Sequence, residues 1–261
     1  MLKKRLIGVV TIKDGWAVQS FGYQRYLPLG KPECLIKNLD RWGADEILVQ
    51  VIDRSRQKIA PDFSLLERIG KLGLSTPLIY GGGIRNVDDG VKAIHYGADR
   101  LVVDALLHDD LQEVQHLSER LGAQAVIASL PLSWQDDKLA WLDYRSQTKI
   151  AIATHLLETI KSGIISEILI SDWLHEGQAN GFESNLVKKF PLQNIPIIAF
   201  GGVSEPVQMA ELLAQPNIVA IAIGNFLNYQ EQAIQKYKQA IASEQIRNPI
   251  YASKYSLLTN V

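Results

Sequence analysis

Thr76-Pro77-Leu78-Ile79-Tyr80-Gly81-Gly82-Gly83-Ile84 and Ile195-Pro196-Ile197-Ile198-Ala199-Phe200-Gly201-Gly202-Val203 repeat one pattern: a proline-led run of β-formers halted by glycines. Short apolar runs bounded by Pro and Gly read as strands. Glycines leaving a strand let backbone N–H groups approach an anion closely, and the helix that follows directs its positive end to the same place. The second copy lies about half a chain beyond the first. Gly43-Ala-Asp-Glu-Ile-Leu-Val49 is likewise echoed by Ile165-Ser-Glu-Ile-Leu-Ile170. Repetition at half the chain length implies two similar half-barrels whose third and seventh strands are equivalent.

Outward from these two phrases, β-branched runs alternate with amphipathic segments along the whole chain. The strands expected are Leu6–Thr11, Ile47–Ile52, Pro77–Tyr80, Leu101–Asp104, Ala125–Leu130, Ile168–Ser171, Pro196–Phe200 and Ile218–Ile223. Helices are expected over Pro32–Trp42, Phe63–Leu72, Val87–Tyr96, Asp110–Leu121, Ser184–Phe190 and Gln230–Ala242, each with apolar residues at three- and four-residue spacing. This alternation predicts an α/β fold with a parallel sheet, closed as a (β/α)8 TIM barrel in one domain, 1–261. Two connections are long for such a barrel, Gly15–Lys31 and Pro131–Lys149, and the alternation in Lys138–Tyr144 suits a hairpin after the fifth strand.

Both glycine clusters then fall at the C-terminal mouth, where barrels of this kind hold their ligands. Gly82 and Gly83 on one side, and Gly201 and Gly202 with Gly224 and Asn225 on the other, could hold a small molecule carrying a phosphate at each end. A glycine cluster can equally make a tight turn; the symmetric pair favours phosphate.

Composition narrows the partners. The 261 residues carry 27 Lys+Arg and 28 Asp+Glu, a formal charge of −1, and 47% are hydrophobic. That balance gives no reason to expect nucleic acid or an anionic membrane surface. Cys34 is the one cysteine, which excludes an internal disulfide and fits a reducing compartment. The apolar run from Leu6 to Val10 is too short for a signal peptide or a span, so a cytoplasmic protein is expected. The five histidines are scattered without metal-ligand spacing, so neither metal nor cofactor is expected.

Lys4-Arg5-Leu-Ile, Ile12-Lys13-Asp14-Gly15, Gly43-Ala-Asp-Glu46, Tyr80-Gly-Gly-Gly-Ile84, Gly97-Ala-Asp99, Glu167-Ile-Leu and Ala199-Phe-Gly-Gly202 together resemble HisF, the cyclase subunit of imidazole glycerol phosphate synthase, over residues 1–245. The resemblance implies a barrel that receives ammonia from a HisH glutaminase and uses it to cleave and cyclise a bisphosphate ligand. It also implies aspartates as acid and base at the ends of strands one and five. Here those positions hold Thr11 and the Leu130-Pro131 pair. Neither a hydroxyl nor an apolar residue can replace a carboxylate in proton transfer, so no catalytic residue is assigned. Asp14, Asp53, Asp104 and Asp172 stand near C-terminal strand ends as candidates for a rebuilt pair.

At the opposite end, Arg5, Glu46, Arg100 and Glu167 match the family's charged ring at the ammonia entrance, with arginine where the family has lysine. Asp99 and Gln124 lie where the family docks its glutaminase. Strand alternation puts Arg5, Ile7, Val9 and Thr11 on one face, so an inward Arg5 entails an inward Thr11 about 20 Å higher. The segment Val18–Pro32 resembles the loop of HisF-like paralogues associated with glycosyl amidation. These are thought to work with a HisH-like glutaminase and a separate sugar amidotransferase, which makes Tyr23, Arg25 and Tyr26 candidate contacts to that enzyme. Trp173 is expected at the rim. The leading expectation is therefore an ammonia-conducting subunit for sugar amidation in surface-glycan synthesis, such as lipopolysaccharide. A cyclase with relocated acids is the alternative, and a phosphorylated-metabolite-binding barrel without ammonia transfer is a third reading.

Overall fold

The computed structural model describes residues 3–241 and 246–248. The expected helix end at Ala242 and the last part of the expected domain lie outside the described residues. Eight parallel strands close on themselves: β1 (Arg5–Lys13), β4 (Glu46–Val51), β5 (Leu78–Gly81), β6 (Arg100–Val103), β7 (Val126–Gln135), β10 (Glu167–Asp172), β11 (Ile197–Phe200) and β12 (Ile218–Ile223). β12 pairs with β1, and β7 pairs with β10, so the sheet has no open barrel edge. This is the expected (β/α)8 barrel.

The helices are α1 (Pro32–Arg41), α2 (Arg54–Gln57), α3 (Phe63–Gly70), α4 (Val87–His95), α5 (Ala105–Asp109), α6 (Leu111–Leu121), α7 (Thr154–Lys161), α8 (Asn185–Lys188), α9 (Pro206–Leu213) and α10 (Ala233–Ile241). Several start on side-chain caps: Asp62 accepts from the Leu65 amide, Asn86 from Asp89, and Asp110 from both Gln112 and Glu113. α7 was not anticipated; it buries Leu156 and Ile160, one turn apart, and its cap position is Ala153 with no side-chain bond.

Alternation along each strand divides the apolar residues between two cores. Leu6, Val10, Ile47, Val49 and their equivalents face the helices. Ile7, Val9, Leu48, Ile79, Val102, Ile127, Leu169 and Ile198 fill the barrel interior. Because every strand is covered on both faces, its residues are nearly all apolar, as a parallel sheet requires.

Two hairpins interrupt this plan, both at the C-terminal mouth. β1 continues through Asp14-Gly15 into β2 (Trp16–Phe21), which pairs with β3 (Arg25–Gly30). Asp14 and Gly15 have φ of 50° and 78°, the two left-handed residues of a type I′ turn. The segment Gly15–Lys31, read from sequence as a long loop, is therefore mostly strand. Asp-Gly between Lys13 and Trp16 was the available signal, and Pro28 on the outer strand obscured it. After the fifth barrel strand, β7 turns at Asp136-Asp137 into β8 (Lys138–Asp143) and then β9 (Thr148–Ile150), as the alternation there predicted. Among the described residues, no helix is long and apolar enough to cross a membrane.

Candidate functional site

At the N-terminal end of the barrel four inward side chains close a ring. Arg5 lies 2.9 Å from Glu46 and 2.8 Å from Glu167, and Arg100 lies 3.2 Å from Glu46 and 3.1 Å from Glu167. Each glutamate thus faces both arginines, and the charges sum to zero. The four are 8–15% exposed. Burial raises the Glu46 pKa above its ordinary value, opposed by the two arginines. Arg100 is tied further, by Nε to the Gln124 carbonyl and by Nη2 to the Ser166 hydroxyl. The ring floors a depression of about 480 Å³ that Asp99 and Gln124 also line. The six residues singled out for this face are therefore neighbours in space.

Thr11 is buried at the upper end of β1. Of the Leu130-Pro131 pair, Leu130 packs outward against the helices and Pro131 lines the mouth. Neither expected acid–base position presents a carboxylate. The four alternative aspartates do not meet there either. Asp14 is exposed on Lys13 and donates its amide to Asp53. Asp172 points outward, held by His175 Nδ1 at 2.7 Å and by the Glu183 amide. Asp104 alone of the four lines the mouth cavity.

The two glycine clusters differ. Gly81, Gly82 and Gly83 border the cavity, and the Gly83 amide donates to Ser55 Oγ. Gly201 packs against the Asp172 backbone, Gly202 against His175, Gly181 and Phe182, and Gly224 near Phe200 and Val9, while Asn225 reaches the β2–β3 hairpin. The Asn225 side chain accepts from the Ser20 amide and donates to the Ser20 carbonyl. Glu176 completes this lock. Its buried carboxylate accepts from Ser20 Oγ at 2.9 Å and from the Tyr23 amide at 3.2 Å. Burial nevertheless raises its pKa.

Held this way, the hairpin tip inserts the Tyr23 ring against the interior apolar core. This corrects the expectation that Tyr23 faces a partner. Its φ of 54° turns the backbone back at the tip, and the Tyr26 hydroxyl donates to its carbonyl. Arg25 is exposed and stacks on Phe21 at 4.7 Å. Between the hairpins lies a cavity of about 110 Å³. Gln50, Asp104, Ser171 and Trp173 line it together with Tyr23 and Tyr144. Trp173, expected at the rim, thus faces inward. Burial pushes the Asp104 carboxyl up to about 8, and keeps the Tyr23 and Tyr144 hydroxyls protonated. Gln50 was missed, although it shares the inward face of β4 with Glu46 at four-residue separation.

Residues 5–233 match the family model described as "Histidine biosynthesis protein". The imidazole glycerol phosphate synthase subunit HisF of Staphylococcus epidermidis strain RP62A is 30% identical over 250 residues, covering 91% of this chain and 96% of the relative. The same subunit of Staphylococcus aureus strain MRSA252 is 26% identical over 246 residues, covering 92% and 97%. With this fold and these matches, the chain belongs to the histidine biosynthesis protein family, as a divergent HisF-like barrel.

Proposed function

We propose that this barrel is the HisF-like half of a glutamine amidotransferase system. A HisH-like glutaminase docks on the N-terminal face around Asp99 and Gln124, ammonia enters through the Arg5, Glu46, Arg100 and Glu167 ring, and a separate sugar amidotransferase of surface-glycan synthesis consumes it. The observation that carries this reading is one contrast. The four-charge ring is complete, while the mouth offers Thr11 and Pro131 where proton transfer needs carboxylates. Above the ring the interior is walled by Ile7, Leu48, Val102 and Leu169, a lining that favours a small uncharged molecule over an ion.

Two measurements test it. Supplied with ammonium salt and the family's bisphosphate substrate, the folded chain is expected to give no turnover; turnover at an enzymic rate overturns the reading in favour of a cyclase. In the assembly with its glutaminase, Arg5→Ala is expected to lower glutamine-dependent product formation severalfold more than formation from free ammonia. Equal effects on both would show that the ring does not gate transfer.

A further inference from the structure

Five buried polar atoms around the mouth cavity have no hydrogen-bond partner among the described residues: Tyr23 Oη, Gln50 Oε1, Asp104 Oδ1, Ser171 Oγ and Trp173 Nε1. Buried polar groups are nearly always satisfied, by protein, water or ligand, so five around one small space mark it as a polar binding site. The Tyr23 hydroxyl sits beside Gln50 and Ser171, whose polar side chains partly offset the rise that burial gives its pKa, and within electrostatic reach of Asp104 and Glu176.

The chemistry of the set is uneven. It offers a carboxyl, an amide oxygen and two hydroxyls, all able to accept, against one obligatory donor, the indole N–H. Positive charge is scarce. Arg145, the cation nearest in effect to Asp104, is bound to Asp143 and Asp109. Arg56 is exposed at the rim, and Lys149 lies 5.0 Å over the Trp173 ring while bonded to Gln135. A buried carboxyl with no counter-ion stays neutral by holding a proton, unless a cation arrives to replace it. An anionic ligand would meet this carboxyl beside Gly82 and Gly83.

We propose that the mouth cavity is a binding site for a protonated primary amino group, with Asp104 as its counter-ion and its other two hydrogens accepted from among Gln50, Tyr23 and Ser171. Free ammonium would leave the Trp173 N–H unused. A small amino alcohol would also place its oxygen there. The site stands on the cavity lining alone, so it can fail or hold independently of the ammonia-transfer reading.

The test is calorimetric titration of the full chain, without any partner, at pH 8. The probes are ammonium, methylammonium and ethanolammonium chlorides, with potassium and tetramethylammonium chlorides as controls. Saturable heat is expected from at least one primary ammonium probe and from neither control. Tighter binding of ethanolammonium identifies an organic amine as the source of the group; preference for ammonium identifies the free ion. Asp104→Asn is expected to weaken binding at least about tenfold, and Ser171→Ala severalfold, while the exposed Asp14→Asn leaves it unchanged. Asparagine mimics the neutral carboxyl in shape, and unchanged circular dichroism checks that the variant folds. No saturable heat, equal response to potassium, or undiminished binding in Asp104→Asn overturns the proposal.

Discussion

Asp104 directly follows β6, four residues beyond Arg100 and lining the cavity above it, yet the two behave oppositely. Arg100 has two carboxylates in reach; Asp104 has no hydrogen bond to its Oδ1 and a pKa of about 8 against an ordinary 3.8. A carboxyl whose folded pKa is raised binds its proton more tightly in the native state. Its contribution therefore favours folding below the unfolded value and is lost as pH rises toward 8. Asp104→Asn is expected to be more stable than the parent at neutral pH. The gain should grow by up to about 1.4 kcal/mol per pH unit between pH 4 and 8, read from denaturant melts at several pH values. A constant difference across that range would count against a buried neutral acid. Glycine is also decisive at this scale. A Cβ on Gly82 would come 2.3 Å from the Val51 carbonyl oxygen, and one on Gly201 2.5 Å from that of Asp172. Both glycines have φ near or above 90°. Gly82→Ala and Gly201→Ala should each lose more than about 2 kcal/mol of stability whether or not an anion binds. The backbone alone thus requires glycine in each of the two phrases.

Among the elements, the β2–β3 hairpin does most to shape the mouth. Three side-chain contacts from Glu176 and Asn225 fasten Ser20, and a fourth fastens the Tyr23 amide. Gly177 lies so close that a Cβ there would be 2.4 Å from the Ser20 carbonyl oxygen. Glu176→Ala removes two of these hydrogen bonds, both accepted by one carboxylate oxygen, from one short stretch. Amide exchange of residues 20–24 is expected to accelerate about tenfold or more, while exchange in the barrel strands changes little. Uniform acceleration would mean that the carboxylate supports the whole barrel rather than the plug. The hairpin was only half legible. Its Asp-Gly turn is a strong local signal, whereas the inward direction of Tyr23 depends on Glu176, about 150 residues away in sequence.

Across the whole molecule, the barrel carries charge at one end, an apolar waist and a polar, cation-poor mouth at the other. The ring joins β1, β4, β6 and β10, so it binds the two half-barrels together. Glu167→Ala leaves Arg5 and Arg100 to share Glu46 and should cost about 3 kcal/mol in thermal or denaturant unfolding. Arg100→Lys keeps the charge but loses the bonds to the Gln124 carbonyl and the Ser166 hydroxyl. It should cost less, about 1 kcal/mol. A loss for Glu167→Ala no larger than that of an exposed pair would show that water already screens the ring.

The eight strands and the barrel were expected from the sequence alone, because short β-branched runs alternate with amphipathic segments along the chain and the glycine phrases repeat half a chain apart. The neutral ring of Arg5, Glu46, Arg100 and Glu167 was expected from the family resemblance, and strand parity agreed with it at Arg5. The fate of the carboxylates belongs to the tertiary structure. Asp14, Asp53, Asp104 and Asp172 look alike in sequence, but solvent claims Asp14, a histidine and the Glu183 amide hold Asp172, and Asp104 is left in the cavity. Burial and partner supply, which separate those outcomes, are set by residues far apart along the chain, and no local pattern records them.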